Sequence, residues 1–375
     1  MIVEPARVAA LAHSFNDGLA SAALSPQSRP LAEIEGELAM RVAELARACG
    51  WTREVRTQLA EIDLERVREF PPANHRHGCI VRVPAEGSAE VVLNRSALEI
   101  ANFRALMSRL PAHMWLVGKA LERDPRFSGE IPCFLGDVSY WPNVACSGNH
   151  PDALLIPDSD FFGTRAYEAF KEATASGLPR WEDRIAKVFW RGSTSGVKRY
   201  WPPESPEDVR WLPRLELCAR AQEPPLAAVC DVGFTNLVQI PERWTAEVAG
   251  ATARLKRPAA EKSAFAQFRA VIDIDGNSNA WSGLFTSLLT GACVIKVASE
   301  LGFSQWYYDR LEPWVHYVPV KADFSDLEPA IRLVLSDERT ARRIGAAGSA
   351  LARSLDLDRE ALAAADRLVA WAARR

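Results

Sequence analysis

One stretch limits the folds open to this chain more than any other: residues 271–297, VIDIDGNSNAWSGLFTSLLTGACVIKV. Val271, Ile272 and Ile274 form a short apolar run rich in β-branched residues, which predicts a strand. Gly276, Asn277, Ser278 and Asn279 interrupt it with turn-forming residues. From Trp281 to Leu289 the apolar positions Trp281, Leu284, Phe285, Leu288 and Leu289 fall at helical spacing. Gly291 is placed to stop that helix. Cys293, Val294, Ile295 and Val297 then begin a second buried strand. The whole is a βαβ unit whose polar loop lies at the C-terminal end of its first strand. Open α/β sheets bind ligands at that end. A helix N-terminus there turns unpaired N–H groups toward an anion, most often a phosphate.

The alternation continues on both sides of this unit. Lys187 to Trp190 and the run ending at Asp231 and Gly233 predict strands, and Leu212 to Ala221 predicts a helix. Residues 259–270 read as a helix leading into the unit, and WVHYVPV (314–320) as a strand after it. Ser325-Asp326-Leu327-Glu328 starts a further helix with a capping pattern. Residues 336–354 and 357–374 predict two more helices. An alternating β/α series implies a mostly parallel sheet, hence an α/β fold class. Ahead of it, Leu31 to Leu45 and Val55 to Val67 show helical repeats. CIVRV, PAEGSA and EVVLN over 79–94 read as a hairpin. Residues 97–123 read as helical with a break at Pro111, and 164–182 as a helix and a linker.

At 375 residues the chain has room for two domains with separate cores. Its net charge of −3 comes without any basic block, which argues against a nucleic-acid partner. The longest apolar stretches fall short of the roughly 18–20 residues that span a bilayer. The N-terminal residues carry Glu4 ahead of any apolar run and show no secretory pattern. The expected location is cytoplasmic, with at most peripheral contact at the inner face of the membrane. The seven cysteines are scattered, with no CxxC or Cys/His cluster, so they read as small buried hydrophobes and give no metal site.

Two polar loops are candidates for chemistry. IPCFLGDVS (131–139) is an apolar strand ending at Gly136-Asp137, followed by a long loop rich in Pro, Gly, Asn and Asp. Asp137 is placed to act as a general base toward a hydroxyl, or simply to cap the following turn. His150, Asp152, Asp158 and Asp160 compete for the catalytic role. The second loop, Arg191-Gly192-Ser193-Thr194-Ser195-Gly196, combines glycines and hydroxyls, with Lys198 and Arg199 downstream. That chemistry suits a diphosphate, although a solvated basic turn has the same composition and GxxxxGK[ST] is absent.

FWRGSTSG, the 271–297 stretch and QWYYDRLEPWVHYVPVKADFSDL together resemble, in order and spacing, glycosyltransferase family 90. The resemblance is strong over about residues 185–350, weak over 125–165 and negligible before that. It implies a GT-B fold: two Rossmann-like domains facing a cleft, with the C-terminal helix crossing back. In those terms residues 1–183 form the acceptor-side domain, 184–352 the nucleotide-sugar domain, and 353–375 the returning helix. It also implies an inverting transferase that needs no metal and no cofactor beyond its UDP-sugar substrate (UDP-glucose, UDP-galactose or UDP-xylose). Arginines and a helix N-terminus would then stabilise the leaving diphosphate.

Carried over by motif, Ser193 and Arg199 match contacts to the diphosphate, and Arg191, Gly192 and Thr194 shape their loop. Gly276, Asn277, Ser278, Asn279, Trp281 and Ser282 match the cradle for diphosphate and sugar. Asp137 is the positional match for the base. The animal members have an arginine where this chain has Leu284; Lys198, Arg199 or Lys296 are the candidates to replace its charge. Asp273 and Asp275 satisfy the D-x-D pattern of metal-dependent transferases, but Asp275 is expected to order the adjoining donor loop. The acceptor implied is a surface glycan or glycolipid, in the first place a lipopolysaccharide core. The alternatives are a protein O-glycosyltransferase and a catalytically silent nucleotide-sugar-binding scaffold. An NAD-dependent dehydrogenase is disfavoured because no GxGxxG follows a strand.

Overall fold

A computed structural model describes residues 30–62, 77–99 and 107–374. They divide into two compact units: one of residues up to Tyr167 with Ser304–Trp306 and the segment from Leu355, the other Glu168–Phe303 with Tyr307–Ser354. Both are α/β.

The first unit is built on a mixed six-stranded sheet. Gly78–Val83 and Ala89–Asn94 pair antiparallel as the expected hairpin. Gly129–Phe134 pairs antiparallel with the first of them, and Val144–Ala145 and Leu154–Leu155 extend the sheet in parallel. The edge strand, Val55–Ala60, corrects the helical reading of that segment. Val55, Thr57 and Leu59 alternate with exposed Arg56 and Gln58, a period of two that a β-branched run prefers. The rest of that proposed helix, 63–67, lies outside the described residues, as do 100–106 of the next. The break expected at Pro111 is present as the turn Ser108–Arg109, after helical Met107, and Pro111 stands in the first turn of the next helix, Leu110–Arg123. The last helix, Leu357–Ala372, packs on that helix, and the Trp371 indole donates to the Asp152 carbonyl at 2.9 Å.

The second unit is a five-stranded, wholly parallel sheet. Its strands, in chain order, are Ile185–Gly192, Cys230–Phe234, Phe268–Asp273, Cys293–Val297 and Val318–Val320. Numbered one to five, they lie side by side as 2-1-3-4-5. Burial on both faces explains the unbroken apolar runs: Ala270 and Val271 are both fully buried though they point to opposite sides. The 271–297 stretch forms its expected strand, loop, helix (Ser282–Leu289) and strand.

Three boundaries differ from the sequence reading. The segment before Val271 is a short 3₁₀ turn, Lys262–Gln267, and then strand from Phe268, because Phe268 and Ala270 are already core residues. In WVHYVPV only Val318–Val320 is strand; Trp314 closes a turn by donating to the Tyr317 carbonyl at 2.7 Å. The helix expected from Thr164 begins at Glu168, since Arg165, Ala166 and Tyr167 all have left-handed backbone. All seven cysteines are free thiols, and all but Cys230 are buried. Among the described residues no helix is long and apolar enough to cross a membrane.

Candidate functional site

The parallel sheet reverses its winding between its first and third strands. At such a reversal the connections leave in opposite directions and open a crevice outside the carboxyl ends. A cavity of about 320 Å³ lies there. Arg191 and Gly192 line it from the end of one strand, and Asp273 and Ile274 from the other. Ser282 and Gly283 enter from the first turn of the Ser282–Leu289 helix, whose N-terminal N–H groups have no side-chain cap.

Arg214 joins the two loops that flank this cavity. It stands in the first turn of the Pro213–Arg220 helix. Its guanidinium donates to the Ile274 and Asp275 carbonyls at 3.0 and 2.9 Å. It also donates to the Ser193 carbonyl and Ser195 Oγ at 3.1 and 2.9 Å. Burial lowers its pKa, while Asp273 and Asp275 oppose that effect. Gln239 makes a second bridge: its Oε1 accepts from the Gly196 amide at 3.0 Å, and its Nε2 donates to Asn277 Oδ1 at 2.8 Å. The loops 191–199 and 275–282 are therefore one assembly.

Within it, Ser193 Oγ lies 3.1 Å from Ser195 Oγ. Thr194 is fully buried, and its hydroxyl exchanges hydrogen bonds with the backbone of Val238. Gly192 leaves room for the Trp190 ring, which a Cβ would meet at 2.7 Å. The Asn279 carbonyl accepts from Gly276 and its amide donates to the Phe303 carbonyl. Ser278 is buried with an unpartnered hydroxyl. Trp281 turns the chain into the helix with φ of +49°. Ser282 Oγ accepts from Lys262 Nζ at 2.5 Å.

Other expected groups are engaged away from the cavity. Arg191 lines it, but its fork is held by Asp231 at 2.5 Å and lies over the Phe189 ring. Arg199 is clasped by Glu216 and Glu300 and donates to two backbone carbonyls. Lys198 sits 4.4 Å from the centre of the Trp201 ring. Lys296 is buried and pairs with Asp273 at 2.9 Å. Burial works against its ammonium, but Asp273 and Asp275 outweigh that and raise its pKa. None of Lys198, Arg199 and Lys296 lines the cavity. Leu284 is fully buried and does not line the cavity.

Arg214 and Lys262 are the cations that patterning passed over. Arg214 left a signal: with Glu216 it is one of two charges inside the apolar run Trp211, Leu212, Leu215, Leu217, and a charge there needs a buried partner. Lys262 left none.

The D-x-D pair is split by its surroundings. Asp273 is paired with the Lys296 ammonium at 2.9 Å. The Asp275 carboxylate oxygens are shielded from water and make no hydrogen bond of good geometry, with the Ser299 hydroxyl only near them. Burial pushes its pKa up to about 6, against the pull of Lys296, the Ser299 hydroxyl and Arg214. An aspartate raised from about 3.9 makes no demand on stability below pH 4, an increasing one from pH 4 to 6, and its full one above. Two units correspond to about 3 kcal/mol. Asp275→Asn is accordingly expected to raise the melting temperature by several degrees at pH 8 and to have no effect near pH 4. Calorimetry across that range checks it; equal melting curves at pH 8 would show that the carboxylate carries no such strain.

In the first unit, Asp137 follows the Gly129–Phe134 strand as expected. Arg109, at the head of the Leu110–Arg123 helix, donates to Asp137 Oδ1 at 2.5 Å and to the Leu135 carbonyl at 2.7 Å. His77 lies alongside; burial lowers its pKa, and Asp137 opposes this. Gly136 is required there, since a Cβ would strike His77 Nδ1 at 2.3 Å. Asp158 is instead a buried helix cap, accepting from the Asp160 and Phe161 amides at 2.9 Å, with a pKa raised by burial to about 6. His150 accepts from the Asp152 amide at 3.1 Å, and Asp152 and Asp160 are exposed.

The sequence model described as glycosyl transferase family 90 matches residues 230–361. Protein O-glucosyltransferase 2 of Danio rerio is 28% identical over 179 residues, covering 47% of this chain and 30% of its own length. An uncharacterized protein of Invertebrate iridescent virus 3 is 31% identical over 159 residues, 39% of this chain and 13% of that one. Protein O-glucosyltransferase 1 of Homo sapiens is 35% identical over 66 residues, 18% and 16% of the two chains. The chain thus spans less than a third of the length of these relatives. The family match takes in the Asn277–Ser282 loop, the Ser282–Leu289 helix and the PWVHYVPV segment. Residues 230–361 of the chain are thus similar to glycosyl transferase family 90.

Proposed function

We propose that this protein is an inverting glycosyltransferase that moves a sugar from a UDP-sugar to a hydroxyl of a glycan or glycolipid, in the first place a lipopolysaccharide core. The observation that carries the reading is the cavity at the sheet reversal, bordered by Arg214 and an uncapped helix N-terminus. A diphosphate there is held by a fixed guanidinium and by backbone dipoles. As the bond to the sugar breaks, negative charge grows on the leaving oxygen, and preorganised donors stabilise it. Asp137, in the other unit, takes the proton from the attacking hydroxyl. The GT-B description of the fold, and an assignment of the protein to the inner face of the membrane, belong to this proposal.

The reading uses no metal, because Lys296 already neutralises the one D-x-D carboxylate that borders the cavity. UDP release from UDP-glucose, UDP-galactose and UDP-xylose, with and without acceptor, tests it. One donor is expected to turn over with acceptor, at a rate that EDTA leaves unchanged. Loss of the rate in EDTA with recovery in manganese would bring the aspartates back as ligands. Binding of UDP-sugars without turnover by any pair would leave a silent scaffold. The named activity of the Danio rerio and Homo sapiens relatives favours protein O-glycosylation as the second reading; folded protein acceptors in the same assay separate the two.

A further inference from the structure

The crevice at the sheet reversal lies between the first and third strands, but the loop after the second strand touches both of its sides. In the order 2-1-3-4-5 the second strand lies beyond the first, away from the third. Its loop is zipped onto the loop after the first strand. The Thr235 amide donates to the Gly192 carbonyl at 2.8 Å, and the Thr194 amide to the Asn236 carbonyl at 3.0 Å. The Thr194 hydroxyl and the backbone of Val238 extend this pairing. At Gln239 the backbone then turns left-handed, with φ of +63°. That conformation is unfavourable for any residue with a Cβ, whereas glycine takes it freely. Gln239 is exposed, so side-chain burial does not offset the strain. Its side chain instead spans the crevice. Oε1 accepts from the Gly196 amide, past the first strand, at 3.0 Å. Nε2 donates to Asn277 Oδ1, past the third, at 2.8 Å. A backbone N–H can only donate, so the bond from Gly196 fixes the orientation of the Gln239 amide and turns its nitrogen toward Asn277.

We propose that Gln239 is a positioning residue of the donor site, a strap that holds the Gly196 and Asn277 ends of the two donor loops at the spacing a bound diphosphate uses. The inference rests on the UDP-sugar reading of this cavity. Arg214 anchors the same loops at the Ser193, Ile274 and Asp275 carbonyls. Gln239 fastens them further along, at Gly196 and Asn277. Loops fixed before the ligand arrives bind it without losing backbone freedom. Without the strap their outer residues must be ordered at each binding event, so affinity falls while the fold is kept.

Calorimetric titration of the full chain with UDP and with uridine, beside thermal melting, tests the proposal. Gln239→Met keeps the length of the side chain and loses both bonds. It is expected to weaken UDP about tenfold, the equivalent of ordering about one residue on binding. Uridine affinity should stay unchanged, and the melting temperature should stay within about two degrees of wild type. Gln239→Gly also loses the strap but relieves the left-handed backbone. It should melt above Gln239→Met and bind UDP just as weakly, a combination that a glutamine serving only the fold would not give. Wild-type UDP affinity in either variant, or an equal loss for uridine, overturns the proposal while leaving the cavity as the donor site. Failure of the wild-type protein to bind UDP overturns the UDP-sugar reading itself, and this inference with it.

Discussion

Asp137→Asn is expected to lower kcat by about three orders of magnitude, within the range set by loss of a general base, while the dissociation constant for UDP stays as in wild type. The amide keeps the size of the carboxylate but cannot accept the proton of the attacking hydroxyl. The donor loops belong to the other unit, so they are not disturbed. Arg109 sharpens the expectation. It ties Asp137 Oδ1 to the Leu135 carbonyl and so fixes the direction of the carboxylate. An aspartate that only capped a turn would gain nothing from an arginine brought in from a helix 28 residues earlier. Single-turnover rates with saturating donor give the measurement. A variant that keeps more than a tenth of the wild-type rate would remove Asp137 from the chemistry.

Arg214→Met is the second substitution with a large effect, and it should fail in a different way. Removing the guanidinium frees the Ile274, Asp275 and Ser193 carbonyls and Ser195 Oγ at once. Each buried acceptor left alone is worth roughly 1–3 kcal/mol. Both loops lose their common anchor, and the cavity loses a fixed donor. We expect UDP affinity to fall about a hundredfold and the melting temperature to fall by several degrees. Arg214→Lys should recover little, because one ammonium cannot reproduce four bonds in a planar fork. Titration and calorimetry on both variants check this. Wild-type affinity in Arg214→Met would place the diphosphate elsewhere.

The sequence made the second unit legible because its strands are buried on both sides and punctuated by glycine and asparagine loops. Continuous apolar runs and turn residues are local signals, and 271–297 carries both. The loops 191–199 and 275–282 were recognisable for the same reason. What local pattern does not encode is which cation faces which space. Arg199 and Lys296 have the right composition and position in sequence, yet Glu216, Glu300 and Asp273 claim them through contacts far apart in the chain. Arg214 reaches the site because a proline starts its helix beneath both loops. At Val55–Ala60 the helical reading failed because dense charge between apolar residues suits either period, and pairing with Ala89–Asn94 decided it. Asp137 was found by its position after a strand, but Arg109 and His77 reach it by tertiary contact only.

The first unit is not one continuous piece of chain. Its sheet comes from the first 167 residues, but the Leu357–Ala372 helix that covers the Leu110–Arg123 helix is made after all of the second unit. Arg123 and Asp366 pair across that contact at 2.9 Å, and Trp371 reaches back to Asp152. During synthesis, which runs at roughly 5–20 residues per second, the second unit has all its strands outside the ribosome while the first still shows an uncovered apolar helix face. The order of completion is thus the reverse of the order of synthesis. The interval places the burden of avoiding aggregation on the earlier unit, and a nascent chain stalled before Leu357 would carry a finished parallel sheet and an unfinished mixed one.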